Sequence, residues 1–126
     1  MPSITFEIDP NLSGVNSSYS SLVFTPAESA PNAWSGYIDA TTTGLWGLTG
    51  SAFNGPATKA NCRLNGPRCT FAEVMAYLDD GGEPATMISA AIGKGRDFEF
   101  HGAVDGLRIN GTVFDFEETG VVERDA

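Results

Sequence analysis

Only one stretch of this chain repeats its apolar residues with a helical period, and that restricts the fold more than any other feature. Phe71, Val74, Met75 and Leu78 fall at i, i+3, i+4 and i+7, one stripe along a helix. Thr70-Phe71-Ala72-Glu73 matches a capping box. In it the Thr70 hydroxyl accepts the Glu73 amide, and the Glu73 carboxylate reaches back to the Thr70 amide. Gly81-Gly82 supplies a left-handed stop. The pattern predicts a short helix over about residues 71–80 that packs its stripe against a sheet.

Elsewhere the period is two. Ile4, Phe6 and Ile8 alternate with Thr5 and Glu7 before the turn formers of DPNLSG. Leu22-Val23-Phe24 follows, then the loop TPAESAPNA. Trp34 to Ala40 and Leu45 to Thr49 read as two short strands around TTTG, and GSAFNGPATKA returns to loop composition. Beyond the helix, Thr86 to Ile92 and Phe98 to Phe100 are strands. Leu107 to Phe114 is a hairpin turning at Asn110-Gly111, a pair suited to a type I′ turn. That register pairs Ile109 with Thr112, Leu107 with Phe114 and Asp105 with Phe116. It leaves Arg108 and Asp115 diagonal on the outer face, where they can form an ion pair. Asp105-Gly106 is the rival turn, and the charged tail VVERDA is expected to fray. Seven or eight strands with one helix predict a mainly β fold, an antiparallel β-sandwich or a small barrel. At 126 residues, with no repeat and no linker, residues 1–126 form a single β-rich domain.

Charge excludes two classes of partner. Sixteen acidic residues against seven basic ones give a net charge of −9 and a pI near 4.3. Nucleic acid and anionic membrane surfaces both require clustered Lys and Arg. No run approaches the ~18 apolar residues of a membrane helix, so no membrane insertion is expected. The start, MPSITFEIDP, lacks the basic and apolar regions of a signal peptide. Either the protein is not exported, or a natural signal has been removed. Lys59, Arg63 and Arg68 form a local basic loop. Their plain reading is a solvated loop beside the chain's own carboxylates. The sharper one is a contact for an anionic group or an acidic neighbour in an assembly.

Both cysteines lie in NCRLNGPRC, with Asn65-Gly66-Pro67 placed to reverse the chain between them. A Cys62–Cys69 disulfide is the preferred reading, worth about 2.5 kcal/mol on the loop-entropy relation. Two free thiols and a redox role are the alternatives, the latter because Cys69 precedes a helix start beside Arg68. Structural zinc needs four ligands, and the chain's single histidine, His101, is far away in sequence. No metal is expected on that pair.

No catalytic set is complete, and no catalytic residue is assigned. His101 falls on the solvent side of FEFHGAV, and no G-x-S-x-G elbow supplies a nucleophile. GKGRD lacks the spacing and the ending of a phosphate loop. Asp79-Asp80 and Asp115, Glu117 and Glu118 read as an exposed helix end and an outer strand face. The acidic loops DPNLSG and DDGGE have the donors for Ca²⁺ but not the EF-hand spacing, so no cofactor is expected. Sequons stand at Asn11, Asn16 and Asn110, the last explained by its turn.

Trp34, Tyr37 and Trp46 crowd into WSGYIDATTTGLWG. Leu45 and Gly47 read as inward residues, which turns Trp46 outward. Exposed tryptophan and tyrosine make flat platforms for sugar rings or partner side chains, although the same residues also serve as core or rim packing. The leading expectation is a non-catalytic binding module outside the cell or on its surface. It would take a carbohydrate or protein ligand at these three aromatics, with an oligomer also compatible. The alternatives are a structural subunit of an assembly such as a virion or surface lattice, in a virion or the cytoplasm, and a small β-barrel cyclase or hydrolase.

Overall fold

A computed structural model describes residues 2–13, 19–27, 32–50, 58–94 and 104–125. The architecture is mainly β, with seven strands in two antiparallel sheets and a single α-helix among these residues. It is a small β-sandwich-like fold, and neither sheet closes into a barrel. The first sheet runs in the order β3 (Leu45–Leu48), β2 (Ser20–Thr25), β1 (Pro2–Asp9), β4 (Thr86–Lys94). The second runs β5 (Leu107–Ile109), β6 (Thr112–Glu117), β7 (Gly120–Asp125).

Register explains where the core lies. Phe24 sits between Ile4 and Trp46, Leu22 between Phe6 and Leu48, and Ser20 opposite Ile8. Paired residues share a face, so one side of the first sheet is aromatic and aliphatic. The helix α1 (Phe71–Leu78) covers that side, burying Val74 and Leu78 and bringing the Phe71 ring to 5.5 Å from Trp46. Its capping box forms as expected: the Glu73 amide donates to Thr70 Oγ1 at 3.3 Å, and the Thr70 amide to Glu73 Oε1 at 3.1 Å. The helix stops at Leu78, shorter than expected, and Gly81 takes the left-handed conformation at φ 84° two residues past the cap.

The Cys62–Cys69 disulfide is present, with the α-carbons 5.2 Å apart and both residues fully buried. The loop it closes lies along the open edge of β3. Leu48 donates to the Cys62 carbonyl at 2.7 Å and accepts from Leu64 at 2.9 Å, while Trp46 and Cys69 exchange both backbone bonds. Between these anchor points the chain passes over Gly47, where a Cβ would come within 2.7 Å of the Leu64 α-carbon. The bridge thus holds a covalent cap over an edge strand whose amides would otherwise be available to another chain.

Further expectations change. Trp34 to Ala40 is irregular chain and not a strand. Gly36 interrupts it, and the Asp39 side chain takes the Thr41 amide at 2.9 Å, closing a local turn in competition with a ladder. The tail does not fray. Gly120, at φ 136°, completes a tight turn after Glu118-Thr119, and Val121 to Asp125 pair with β6 as β7. That new strand brings Arg124 to Asp115 at 2.9 Å, so the ion pair of Asp115 is with Arg124 rather than Arg108. Finally, Trp46 points inward. The Asn110-Gly111 hairpin keeps its expected register, with Ile109 opposite Thr112 and Leu107 opposite Phe114. Phe98 to Phe100 and His101 lie outside the described residues.

Candidate functional site

Of the three aromatics expected at a ligand site, the structure separates one from the other two. Trp46 is 4% exposed, with ring centroids of Phe24 and Phe6 at 5.1 and 5.9 Å. The tetrapeptide Leu45-Trp46-Gly47-Leu48 offers an apolar residue to either parity. Pairing with Phe24 and Leu22 chooses Trp46 and Leu48 as the inward set and leaves Leu45 half-exposed. Trp46 therefore packs the core instead of presenting a platform.

Trp34 and Tyr37 are 70% and 72% exposed. They stand three residues apart on the irregular segment, so no more than about 11 Å of chain separates them. Both ends of the span from Tyr37 to Ala40 are tied down. At the far end Asp39 accepts from the Thr41 amide and hydroxyl at 2.9 and 2.6 Å, and the resulting turn presents the Ala40 carbonyl to Trp46 Nε1 at 2.8 Å. At the near end the Tyr37 ring lies against Gly106. A Cβ at Gly106 would meet Tyr37 Oη at 2.9 Å, and its φ of 67° independently favours glycine. The core indole thus helps to position the exposed phenol.

Gly106 follows Asp105, and Asp105 is where the hairpin sheet joins the site. Its Oδ1 accepts the Phe116 amide at 2.9 Å and the Gly106 amide at 2.7 Å. This side-chain bond replaces the backbone pairing expected between Asp105 and Phe116. The two amides, Phe116 foremost, hold the Asp105 carboxyl below the usual carboxylate range. Asp115 is held in turn by Arg124 Nε. Tyr37 thus meets the residue that follows Asp105, and Asp105 in turn is bound to the hairpin sheet through the Phe116 amide. An exposed aromatic face is chemistry for stacking a ring.

The other expected sites are dispersed. Lys59 pairs with Glu73 at 3.3 Å. Arg68 donates to the Leu64 carbonyl at 3.1 Å and to Thr25 Oγ1 at 3.2 Å, and the charge of Arg63 acts on the half-buried Tyr77 hydroxyl. Each of these cations is engaged within its own chain. The two acidic loops meet each other instead: Asp9 accepts from the Asn11 amide, Asp80 from the Ser13 and Gly82 amides, and Asn11 Nδ2 donates to the Pro84 carbonyl at 2.7 Å. Among the described residues no group of three His, Cys, Asp or Glu side chains is arranged around a metal position. Asn11 has its amide engaged, Asn16 is outside the described residues, and Asn110 sits at φ 55° in its turn.

A hydrolase or cyclase requires an enclosed pocket, here one that would hold Trp34, Tyr37 and a carboxylate of raised pKa. The two aromatics are open to solvent instead. Among the described residues the shifted carboxyls, Asp39, Glu73, Asp80 and Asp105, all lie below their ordinary values because hydroxyls and backbone amides donate to them. Sequence reasoning missed Arg124 by giving the tail no strand, and missed the role of Gly106 by treating Asp105-Gly106 only as a turn. The signal for the first was Thr119-Gly120 followed by two β-branched residues. Compared with protein-family models, with curated proteins and with solved structures, the chain matches none of them.

Proposed function

We propose that this chain is a non-catalytic binding module, acting outside the cell or on its surface, that takes a neutral carbohydrate at Tyr37 and Trp34. The observation that carries the reading is the seat of Tyr37. An aromatic ring open to solvent is seated against Gly106, the residue that follows Asp105. A pyranose has an apolar face of C–H groups, and the exposed ring offers a surface for it. Net charge supports a neutral ligand, since a chain at −9 repels anionic glycans. A disulfide supports an oxidising compartment, and no helix among the described residues is long and apolar enough to cross a membrane. A protein ligand is the second reading, favoured by Ile38, which adds exposed apolar surface next to Tyr37.

The test is titration calorimetry of hits from a panel of neutral oligosaccharides, with Tyr37→Ala, Trp34→Ala and Asp115→Asn in parallel. Loss of either aromatic platform should weaken binding by about tenfold or more, near 1.4 kcal/mol, with Tm unchanged because neither side chain is in the core. Binding untouched by both aromatic substitutions would overturn the reading. Binding only to peptides, lost in the same variants, would select the protein ligand.

A further inference from the structure

Asparagine followed by glycine occurs at three places in the chain, Asn54-Gly55, Asn65-Gly66 and Asn110-Gly111, and the first lies outside the described residues. In such a pair the glycine nitrogen can attack the carboxamide carbon of the asparagine, because no side chain on the glycine obstructs it. The attack needs a nitrogen released from hydrogen bonding and a backbone able to bring it to the carboxamide. The two described pairs have opposite settings. Gly66 donates its amide to the Arg63 carbonyl at 3.1 Å, inside the loop whose ends the Cys62–Cys69 disulfide holds 5.2 Å apart. Asn110 and Gly111 are both exposed at the tip of the β5–β6 hairpin. Among the described residues, neither the Gly111 amide nor the Asn110 carboxamide has a hydrogen-bond partner. Only Asn110 of this pair is left-handed, at φ 55°, and a Cβ on Gly111 would meet nothing within 4 Å. Neither the backbone nor its surroundings therefore require glycine at 111. What its missing side chain leaves open is the nitrogen.

From this contrast we infer that Asn110-Gly111 is a site of spontaneous, irreversible modification, at which the folded protein converts Asn110 to L-isoaspartate. The Gly111 nitrogen bonds to Asn110 Cγ, and Nδ2 leaves as ammonia with the proton of the Gly111 amide, closing a succinimide ring. Water then opens the ring. Addition at Cγ breaks the new bond and gives aspartate. Addition at the main-chain carbonyl breaks the original peptide bond to Gly111 and gives isoaspartate, in which the chain runs through Cγ. Water is the only co-reactant, and nothing is oxidised or reduced. Isoaspartate adds a carbon to the backbone and a free carboxylate at the hairpin tip. A two-residue turn fixes the register of the strands it joins. A longer link at 110 removes the constraint that sets Ile109 opposite Thr112 and Leu107 opposite Phe114. The strand β5 has only three residues with which to resist. Its loosening reaches Gly106, the preceding residue, against which the Tyr37 ring lies. The modification is a slow one-way change of the hairpin, and it is independent of the carbohydrate reading.

The experiment incubates the full, disulfide-bonded chain in mildly alkaline buffer and follows it by peptide mapping with mass spectrometry, reading isoaspartate by its enzymatic methylation. The peptide holding Asn110 should be the first of the two to gain the mass of an amide exchanged for an acid, with isoaspartate the larger product. Asn65 should lag by roughly fivefold or more, the factor set by opening one ordinary backbone hydrogen bond. In the reduced chain unfolded in urea, the two sites should convert at similar rates. Gly111→Ala should slow Asn110 several-fold with the circular dichroism unchanged. After conversion the β5 amides should exchange hydrogen several-fold faster, with those of α1 unaltered. An Asn110 that stays intact, or that converts no faster than Asn65, overturns the inference. So does a ratio between the sites that is the same folded and unfolded, which would place the preference in the sequence alone. Conversion with β5 exchange unchanged overturns the effect on the hairpin. The folded-to-unfolded comparison needs no variant, so a substitution that fails to fold leaves the test intact.

Discussion

Replacing Trp46 tests the inner architecture most directly. The indole is almost wholly buried, three aromatic rings lie within 6 Å of it centroid to centroid, and its N–H donates to Ala40 at 2.8 Å. Truncation of a core tryptophan to alanine costs about 3–5 kcal/mol, from lost burial and the cavity left behind. Trp46→Phe keeps a ring in the cluster. It forfeits roughly 40 Å² of apolar area, about 1 kcal/mol at 25 cal/mol/Å², and one hydrogen bond worth about 1 kcal/mol. The expected costs are therefore about 4 kcal/mol for alanine and about 2 kcal/mol for phenylalanine, against a total near 5–15 kcal/mol for a domain of this size. Urea unfolding reads both. With a slope of about 2 kcal/mol/M, the midpoint should fall by ~2 M for Trp46→Ala and ~1 M for Trp46→Phe. Far-UV circular dichroism is the suitable signal, because the substitution removes one of only two tryptophans. A cost below about 1 kcal/mol for alanine, with the phenylalanine variant indistinguishable from the parent, would refute the packing argument.

Other expectations follow from the disulfide, the cap and the carboxylates. The double variant Cys62→Ser, Cys69→Ser should lose about 2.5 kcal/mol in equilibrium unfolding, the entropy of closing an eight-residue loop. It should also speed exchange of the Trp46 and Leu48 amides, which the loop covers. Gly47→Ala should be destabilising despite alanine's smaller entropy cost, since its Cβ meets Leu64 backbone, and a Tm equal to the parent's would contradict that contact. Thr70→Ala removes the helix cap and should cost about 1 kcal/mol by denaturant midpoint. Asp39, Glu73, Asp80 and Asp105 all have depressed pKa values in the folded state. Their stabilisation is complete above the unfolded values near 4 and is lost as pH falls through the folded ones. Tm should therefore hold steady from pH 7 to 5 and decline below about 4, and a Tm that rises on acidification would contradict the sign.

Some of this protein was decided locally and is legible in the chain. The helix and its cap depend on residues within one turn of each other, so Thr70, Glu73 and the Phe71–Leu78 stripe suffice to place it. The Asn110-Gly111 hairpin is equally local, because a two-residue turn that tolerates positive φ sets the register of both flanking strands. The disulfide needed only eight residues and a chain reversal between its ends. Orientation and partnership were different. Trp46 could face either way until Phe24 and Leu22 supplied a neighbouring strand. Asp115 had two arginines in reach, and β7 chose between them by existing at all. Tyr37 met Gly106 only because a segment nearly seventy residues earlier in sequence folds against the residue that precedes β5. Composition and short-range spacing specify turns, caps and periodicity, which are energies of neighbouring residues. Which face a strand buries, and which distant side chains share a site, depends on burial against other elements, and that free energy exists only once they are assembled.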